Sequence, residues 1–291
     1  MTSQTARLQP AQDLFEIVPL QPALGAEIRS IDLREPLDEP TRAGLVAALL
    51  RHRVLFFRDQ DLTREQHIAF GQAFGELEVH PVFSHPDHPQ ILPLISEELR
   101  GKYRRSSDSN WHADTTFRET PSAASILRAR VSPPLGGDTV FANAVAAYET
   151  LPEDVKARID GLTAIHDPSV FLQFLDTEEK RQAIRDQYPE VEHPVVRIHP
   201  ETGEKVLYVN SVFTRRIKGL EPEESRALLA LLFDQVKRPE LQVRWSWRPH
   251  SIAFWDNRAT QHYAVPDYAG QRHMERVTIV GDRPVGPSTH H

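Results

Sequence analysis

Two histidines and one carboxylate are the set that can hold a ferrous ion on one face and leave the opposite face open to small molecules. The chain offers such a set in Trp111-His112-Ala113-Asp114 and, far downstream, His262. In an extended segment residues i and i+2 point the same way. His112 and Asp114 can therefore aim at one ion without unusual backbone, and the third ligand must be brought in by the fold. A His-x-Asp pair alone is a weak signal. Read by themselves, His112 could be a hydrogen-bonded structural residue and His262 a surface loop residue, and a His2Asp set could also hold zinc.

Downstream of His262 come Arg272, Met274 and Arg276, which share one face of an extended segment. Two guanidinium groups on one face repel unless anions or water lie between them, and arginine is the side chain suited to bidentate capture of a carboxylate or sulfonate. The bland alternative is a solvated basic edge. A ferrous centre with three protein ligands needs a co-substrate to supply electrons. A 2-oxo acid can chelate it through its carboxylate and keto oxygens, and its distal carboxylate then needs a fixed cation. Arg272 is the candidate for that cation, with the hydroxyl of Thr139 as a second donor.

These residues need a scaffold. With 291 residues and 40% apolar content, the chain can build one large core, and a single domain over 1–291 is expected, with 1–12 and 285–291 disordered or tag-derived. The absence of cysteine removes disulfides, iron–sulfur clusters, thiolate nucleophiles and Cys-based zinc sites. A net charge of −7 without a basic run gives no field that favours nucleic acid. No apolar run approaches the about 18 residues of a membrane span, and Met1–Gln12 has no apolar leader core, so a cytoplasmic protein with no membrane partner is expected.

The periodicity predicts short strands between Ile17 and Leu33 with a turn at Gly25, a helix over Thr41–His52, a buried strand Val54–Phe57, and a helix over Thr63–Phe74 started by Thr63 and Gln66 at capping-box spacing. Residues 80–110 read as a long loop. Ser125–Val131 alternates, with Leu127, Ala129 and Val131 on one face and Ile126, Arg128 and Arg130 on the other. Helices are expected over Val145–Thr150, Pro152–Gly161, Thr177–Asp186 and Glu221–Lys237. A hairpin is expected around Thr202-Gly203. Further strands lie near Thr139–Phe141, Val243–Trp247, Ile252–Trp255 and Arg276–Val280, which leaves His262 in the loop 256–263. Many short strands with inserted helices, and no βαβα order, point to a mostly β antiparallel sandwich or jelly roll.

Several ordered stretches together resemble the taurine dioxygenase family of Fe(II)/2-oxoglutarate-dependent oxygenases. They are Leu-Gly-Ala-Glu-Ile (24–28), Trp-His-Ala-Asp-Thr-Thr-Phe (111–117), Gly-Gly-Asp-Thr (136–139), His-Pro-Val-Val-Arg (193–197), Leu-Tyr-Val-Asn (207–210), Trp-Asp-Asn-Arg-Ala-Thr-Gln-His-Tyr-Ala (255–264) and Met-Glu-Arg (274–276). The resemblance runs from about Phe15 to Pro284, with variable stretches near 84–108 and 167–192.

The resemblance implies a double-stranded β-helix, with His112, Asp114 and His262 binding Fe(II), and Thr139 and Arg272 binding the far carboxylate of 2-oxoglutarate. Arg276 would meet an anionic group of a small anionic substrate, helped by His80 and the backbone N–H of Thr115. O2 is the second co-substrate, and 2-oxoglutarate leaves as succinate and CO2. The stretch between His262 and Arg272 is one residue shorter than in taurine dioxygenase, so the division of duties between the two arginines stays open. His80, His85 and His88 could otherwise suggest a separate metal site, which the intervening prolines disfavour. Where taurine dioxygenase meets an amine, this chain offers Phe83, Ser107 and Asp108; Phe117, Phe171, Val212 and Phe213 are further candidate walls. Taurine or a related organosulfonate is the favoured substrate, then an alkyl sulfate ester. An aryloxyalkanoate is third, from the likeness of 33–37 and 265–270 to enzymes acting on phenoxy acids. A non-catalytic jelly-roll binding protein is the alternative of a different class. Family members are often dimers or tetramers, so a homodimer or homotetramer is expected.

Overall fold

The computed structural model describes residues 14–80, 84–95 and 111–287. The first part of the chain forms β1 (Glu16–Pro19), β2 (Ala26–Arg29), α1 (Glu39–His52), β3 (Val54–Phe57), α2 (Arg64–Gln72) and β4 (Leu92–Ile95). The middle forms β5 (Ala124–Val131), β6 (Thr139–Asn143), α3 (Ala144–Glu149), α4 (Glu153–Ile159), β7 (Thr163–His166), α5 (Ser169–Leu172), α6 (Glu178–Gln187), β8 (Val191–Pro194), β9 (Val196–Ile198), β10 (Lys205–Leu207) and β11 (Thr214–Ile217). The last part adds α7 (Pro222–Gln235), β12 (Gln242–Trp245), β13 (Ile252–Asp256), β14 (Thr260–Ala264) and β15 (His273–Ile279).

Seven strands make the major sheet in the order β1-β2-β3-β13-β5-β15-β4, and a three-stranded sheet β12-β6-β14 faces it. Pairing is antiparallel throughout the major sheet except for β2 with β3. This is the jelly roll expected from the sequence.

The apolar run Val54-Leu55-Phe56-Phe57 does not alternate because β3 is covered on both sides. Leu55 and Phe57 pack with α1 and α2 residues such as Leu45, Leu49 and Phe70. Val54 and Phe56 point into the sandwich with Phe141, Trp245 and Trp255. β13 divides likewise, Ile252 and Phe254 outward and Ala253 and Trp255 inward. A third cluster backs the smaller sheet with α3, α4 and α7 through Ala147, Ile159, Leu228 and Leu232. α2 starts as predicted: the Thr63 hydroxyl accepts from the Gln66 N–H, and the Gln66 side chain accepts from the Thr63 N–H.

Two expectations are corrected. The long loop 80–110 contains β4, which pairs with the far edge of β15. His262 lies within β14, paired opposite Phe141, and not in a loop. On the other face of β5 from Leu127, Arg128 is 1% exposed and meets the fully buried Glu275, its register partner on β15. Strands β7, β8 and β11 give no alternation that marks them, since their buried, half-buried and exposed positions follow no period of two. Residues 1–13 lie outside the described residues, and so do 288–291. The C-terminal stretch expected to be loose is docked at its start, where the Val285 carbonyl accepts from the Ile198 N–H at 2.7 Å. Among the described residues no helix is long and apolar enough to cross a membrane.

Candidate metal centre

His112 and His262 face each other across an isolated antiparallel bridge. His112 N donates to His262 O at 3.1 Å and His262 N to His112 O at 2.8 Å, which sets the two rings 4.3 Å apart. Asp114 follows two residues on, and its Oδ1 lies 3.7 Å from His112 Nε2 and 4.0 Å from His262 Nε2. The three ligand atoms lie within 4.8 Å of one another, and no other such His/Cys/Asp/Glu group occurs among the described residues. His80, His85 and His88 therefore do not form one.

The carboxylate is held from every side. Ser125 on β5 donates to Oδ2 at 3.0 Å, which leaves Oδ1 toward the imidazoles. The Asn257 side chain brackets the Asp114 peptide: its Oδ1 accepts from Asp114 N at 2.7 Å and its Nδ2 donates to Asp114 O at 2.9 Å. Thr115, next in line, takes the left-handed backbone at φ 57°, and its Oγ1 is hydrogen-bonded to Ser122 Oγ at 2.5 Å. Neither Ser125 nor Asn257 is named by sequence reasoning as a site residue. Asn257 sits inside a quoted motif, whereas Ser125 is exposed to view only by the β13–β5 register that sets it opposite Trp255.

Arg276 donates from Nη1 to Asp114 Oδ1 at 2.5 Å, so its guanidinium is buried against the carboxylate and not on a solvated edge. Its Nε is buried with no acceptor among the described residues. Arg272 is also buried, and its Nε donates to Gly137 O at 3.1 Å. That contact brings it to the corner where Thr139 begins β6. The Thr139 Oγ1 accepts there from the Trp247 indole N–H at 2.9 Å, which leaves the hydroxyl proton available to another acceptor.

Burial pushes the Asp114 carboxyl upward, but the Arg276 guanidinium and the imidazoles of His262 and His112 outweigh it and hold the group below the usual carboxylate range. Burial, the neighbouring His112 and Arg276 pull His262 down to about 3. The site therefore presents an ionised carboxylate and a neutral imidazole at neutral pH, the donor states a divalent metal requires. Burial and then Arg276 and Arg118 lower His80 to about 3, so it too is neutral.

Around this centre lies an aromatic wall. The Phe213 ring stands 6.2 Å from His112 and 5.8 Å from Phe171, and Phe171 is 6.2 Å from His80. Phe117 backs both phenylalanines and is itself buried. The structure thus brings together His80, Thr115, Phe171, Phe213 and Arg276 with the three ligand candidates. Phe83, Ser107 and Asp108 lie outside the described residues.

The sequence signature described as "Taurine catabolism dioxygenase TauD, TfdA family" matches residues 16–278. An α-ketoglutarate-dependent sulfate ester dioxygenase of Pseudomonas putida is 41% identical over 94% of this chain and 91% of its own length. An alkylsulfatase of Acinetobacter baylyi is 36% identical over 95% of this chain and 88% of its own. The crystal structure of a taurine dioxygenase from Burkholderia xenovorans superposes with a TM-score of 0.81 at 43% identity, covering 94% of this chain and 91% of that one.

Proposed function

The chain belongs to the TauD, TfdA family of dioxygenases, and we propose that it oxidises an alkyl sulfate ester at the carbon bearing the sulfate. Fe(II) held together with 2-oxoglutarate would supply the oxidation of a substrate C–H bond at the expense of O2, one oxygen atom passing to the substrate and the other into succinate as CO2 leaves. The hydroxylated carbon then loses sulfate and becomes an aldehyde.

The residues take the following parts. His112, Asp114 and His262 would hold the metal, with Ser125 and Asn257 fixing the carboxylate. Arg272 and the Thr139 hydroxyl receive the far carboxylate of 2-oxoglutarate. Arg276 takes the sulfate, with His80 and the Thr115 backbone beside it. Phe171 and Phe213 line the alkyl chain and keep water from the reacting carbon.

The observation that carries this reading is the buried Nε of Arg276, a charged donor with no acceptor among the described residues, beside an aromatic wall. A buried donor left unmade costs about 1–3 kcal/mol, and a sulfate oxygen would satisfy it. The wall then fits a chain of CH2 groups better than a short ammonium-bearing one. On this ground we rank the sulfate ester ahead of the organosulfonate favoured from sequence, a choice supported by the likeness to a sulfate ester dioxygenase and an alkylsulfatase. The taurine dioxygenase neighbour keeps the organosulfonate as the second reading.

Aerobic turnover with Fe(II) and 2-oxoglutarate on hexyl sulfate and on taurine separates the two. Equal amounts of sulfate and succinate from hexyl sulfate are expected. Sulfite released from taurine at higher kcat/KM than sulfate from hexyl sulfate would overturn the choice.

A further inference from the structure

The stretch Leu-Tyr-Val-Asn (207–210) matches the family pattern, and two of its residues hydrogen-bond to residues close in sequence to the ligand candidates. Its last two residues and the one that follows explain its place. Val209, Asn210 and Ser211 each accept or donate one hydrogen bond to the neighbourhood of a different ligand. Gln261, the residue before His262, donates from Nε2 to Val209 O at 2.8 Å. Ser211 donates from Oγ to the carbonyl of Trp111, the residue before His112, at 3.1 Å. Asn210 donates from Nδ2 to Thr116 Oγ1, two residues after Asp114, at 2.9 Å.

The same segment carries the aromatic wall. The Phe213 N–H donates to Asn210 Oδ1 at 2.9 Å, and Asn210 N donates to Thr214 Oγ1 at 2.9 Å. His166 closes the circuit, its Nδ1 3.1 Å from Thr116 Oγ1 and its Nε2 3.2 Å from Thr214 Oγ1. Asn210 is 1% exposed, so its amide has no water to replace these partners.

We infer that Val209–Phe213 is a strap that sets the spacing of the metal ligands and the position of the substrate wall together, with Asn210 as its positioning residue. The residues beside the three ligand candidates, Gln261 and Thr116 through their side chains and Trp111 through its carbonyl, are tied to three consecutive residues of one segment. The aromatic ring beside the metal hangs from the same amide. Loosening Asn210 must therefore loosen the metal and the substrate jointly. The 2-oxoglutarate corner at Arg272 and Thr139 hangs from other contacts, Gly137 and Trp247, and is spared. The inference rests on the metal-site reading given above.

The test uses full-length protein, with Co(II) affinity read from its visible absorption and KM measured separately for hexyl sulfate and 2-oxoglutarate. Loss of a group that orients metal ligands typically weakens the metal by about 10–100-fold. Asn210→Ala is expected to weaken Co(II) about tenfold and to raise the hexyl sulfate KM comparably, while the 2-oxoglutarate KM moves less than about twofold. Ser211→Ala removes one hydroxyl from a half-buried site and is expected to weaken Co(II) about threefold, below the range for a full ligand-orienting group, with an unchanged unfolding midpoint. It keeps the proposal testable if Asn210→Ala does not fold. Co(II) affinity unchanged in the variants, or all three constants shifted in step with lost stability, would overturn the strap. His262→Ala is the control: if it binds Co(II) as the wild type does, the metal-site reading is what has failed.

Discussion

Glu275→Ala should be among the most destabilising single changes in this protein, although Glu275 touches none of the three ligand candidates. Its carboxylate is fully buried between Arg128 and Arg64, on the face of β15 opposite that of Met274 and Arg276. Oε2 accepts from Arg128 Nη2 at 2.8 Å, and that arginine is 1% exposed. Oε1 accepts from Arg64 at 2.7 Å, where the arginine is 30% exposed and water recovers part of the loss. Removing one partner of a buried pair costs about 3–5 kcal/mol because the other charge is stranded. The half-open Arg64 pair adds no more than about 0.5 kcal/mol. Arg128 keeps its bonds to the Leu62 and Thr63 carbonyls, which argues for the lower half of the range, so we expect about 3–4 kcal/mol. That is a large share of the about 5–15 kcal/mol typical of a folded protein. Urea unfolding at pH 7 reads it directly. Arg128→Met combined with Glu275→Leu replaces the pair by apolar volume and should recover most of the loss. A cost below about 1 kcal/mol for Glu275→Ala, or a double variant no better than the single one, would refute the claim that a dry ion pair backs β15.

Arg272→Ala should raise the KM for 2-oxoglutarate and spare substrate binding, whereas Arg276→Ala should raise the substrate KM and leave slow 2-oxoglutarate decay intact; isothermal titration with each compound checks this, and the opposite pattern means the two roles are exchanged. Phe171→Ala should cost about tenfold in kcat/KM for a long alkyl sulfate, from the lost apolar contact, and little for methyl sulfate; equal losses would remove Phe171 from the wall. His67 and His193 are held at about 3 and about 4 by burial. The folded protein keeps them neutral while the unfolded chain takes protons below about 6.5, so stability is full above that pH and falls as pH drops toward 4. Urea midpoints between pH 4.5 and 7.5 should follow that fall, and His67→Leu should make it shallower; a midpoint that rises on acidification contradicts the assignment.

The three ligand candidates are legible because two of them sit in one short motif and the third in another, and each motif carries its own residue order; the structure brings them together. The jelly roll was legible from short strands without βαβα order. What escaped was whatever depends on register or on cover. The alternation of Ser125–Val131 does not say that Arg128 is buried; that follows from Glu275 lying opposite and the Leu62 and Thr63 carbonyls meeting its guanidinium. His262 reads as a loop residue until β14 pairs with β6. Ser125 is an ordinary strand serine until the β13–β5 register lays it beneath Asp114. Arg276 was read as a substrate anchor from its face of β15; that it also leans on Asp114 follows only from how β15 lies against the ligand loop.

Anaerobic titration of the protein with Fe(II) in the presence of 2-oxoglutarate tests the central claim most directly, since 2-oxoglutarate bound at a three-ligand ferrous site absorbs visible light. The account predicts a visible band that saturates at one Fe(II) per chain, is absent in His262→Ala and Asp114→Ala, and survives in Arg276→Ala. A colourless mixture, or a band of full strength in His262→Ala, would contradict it.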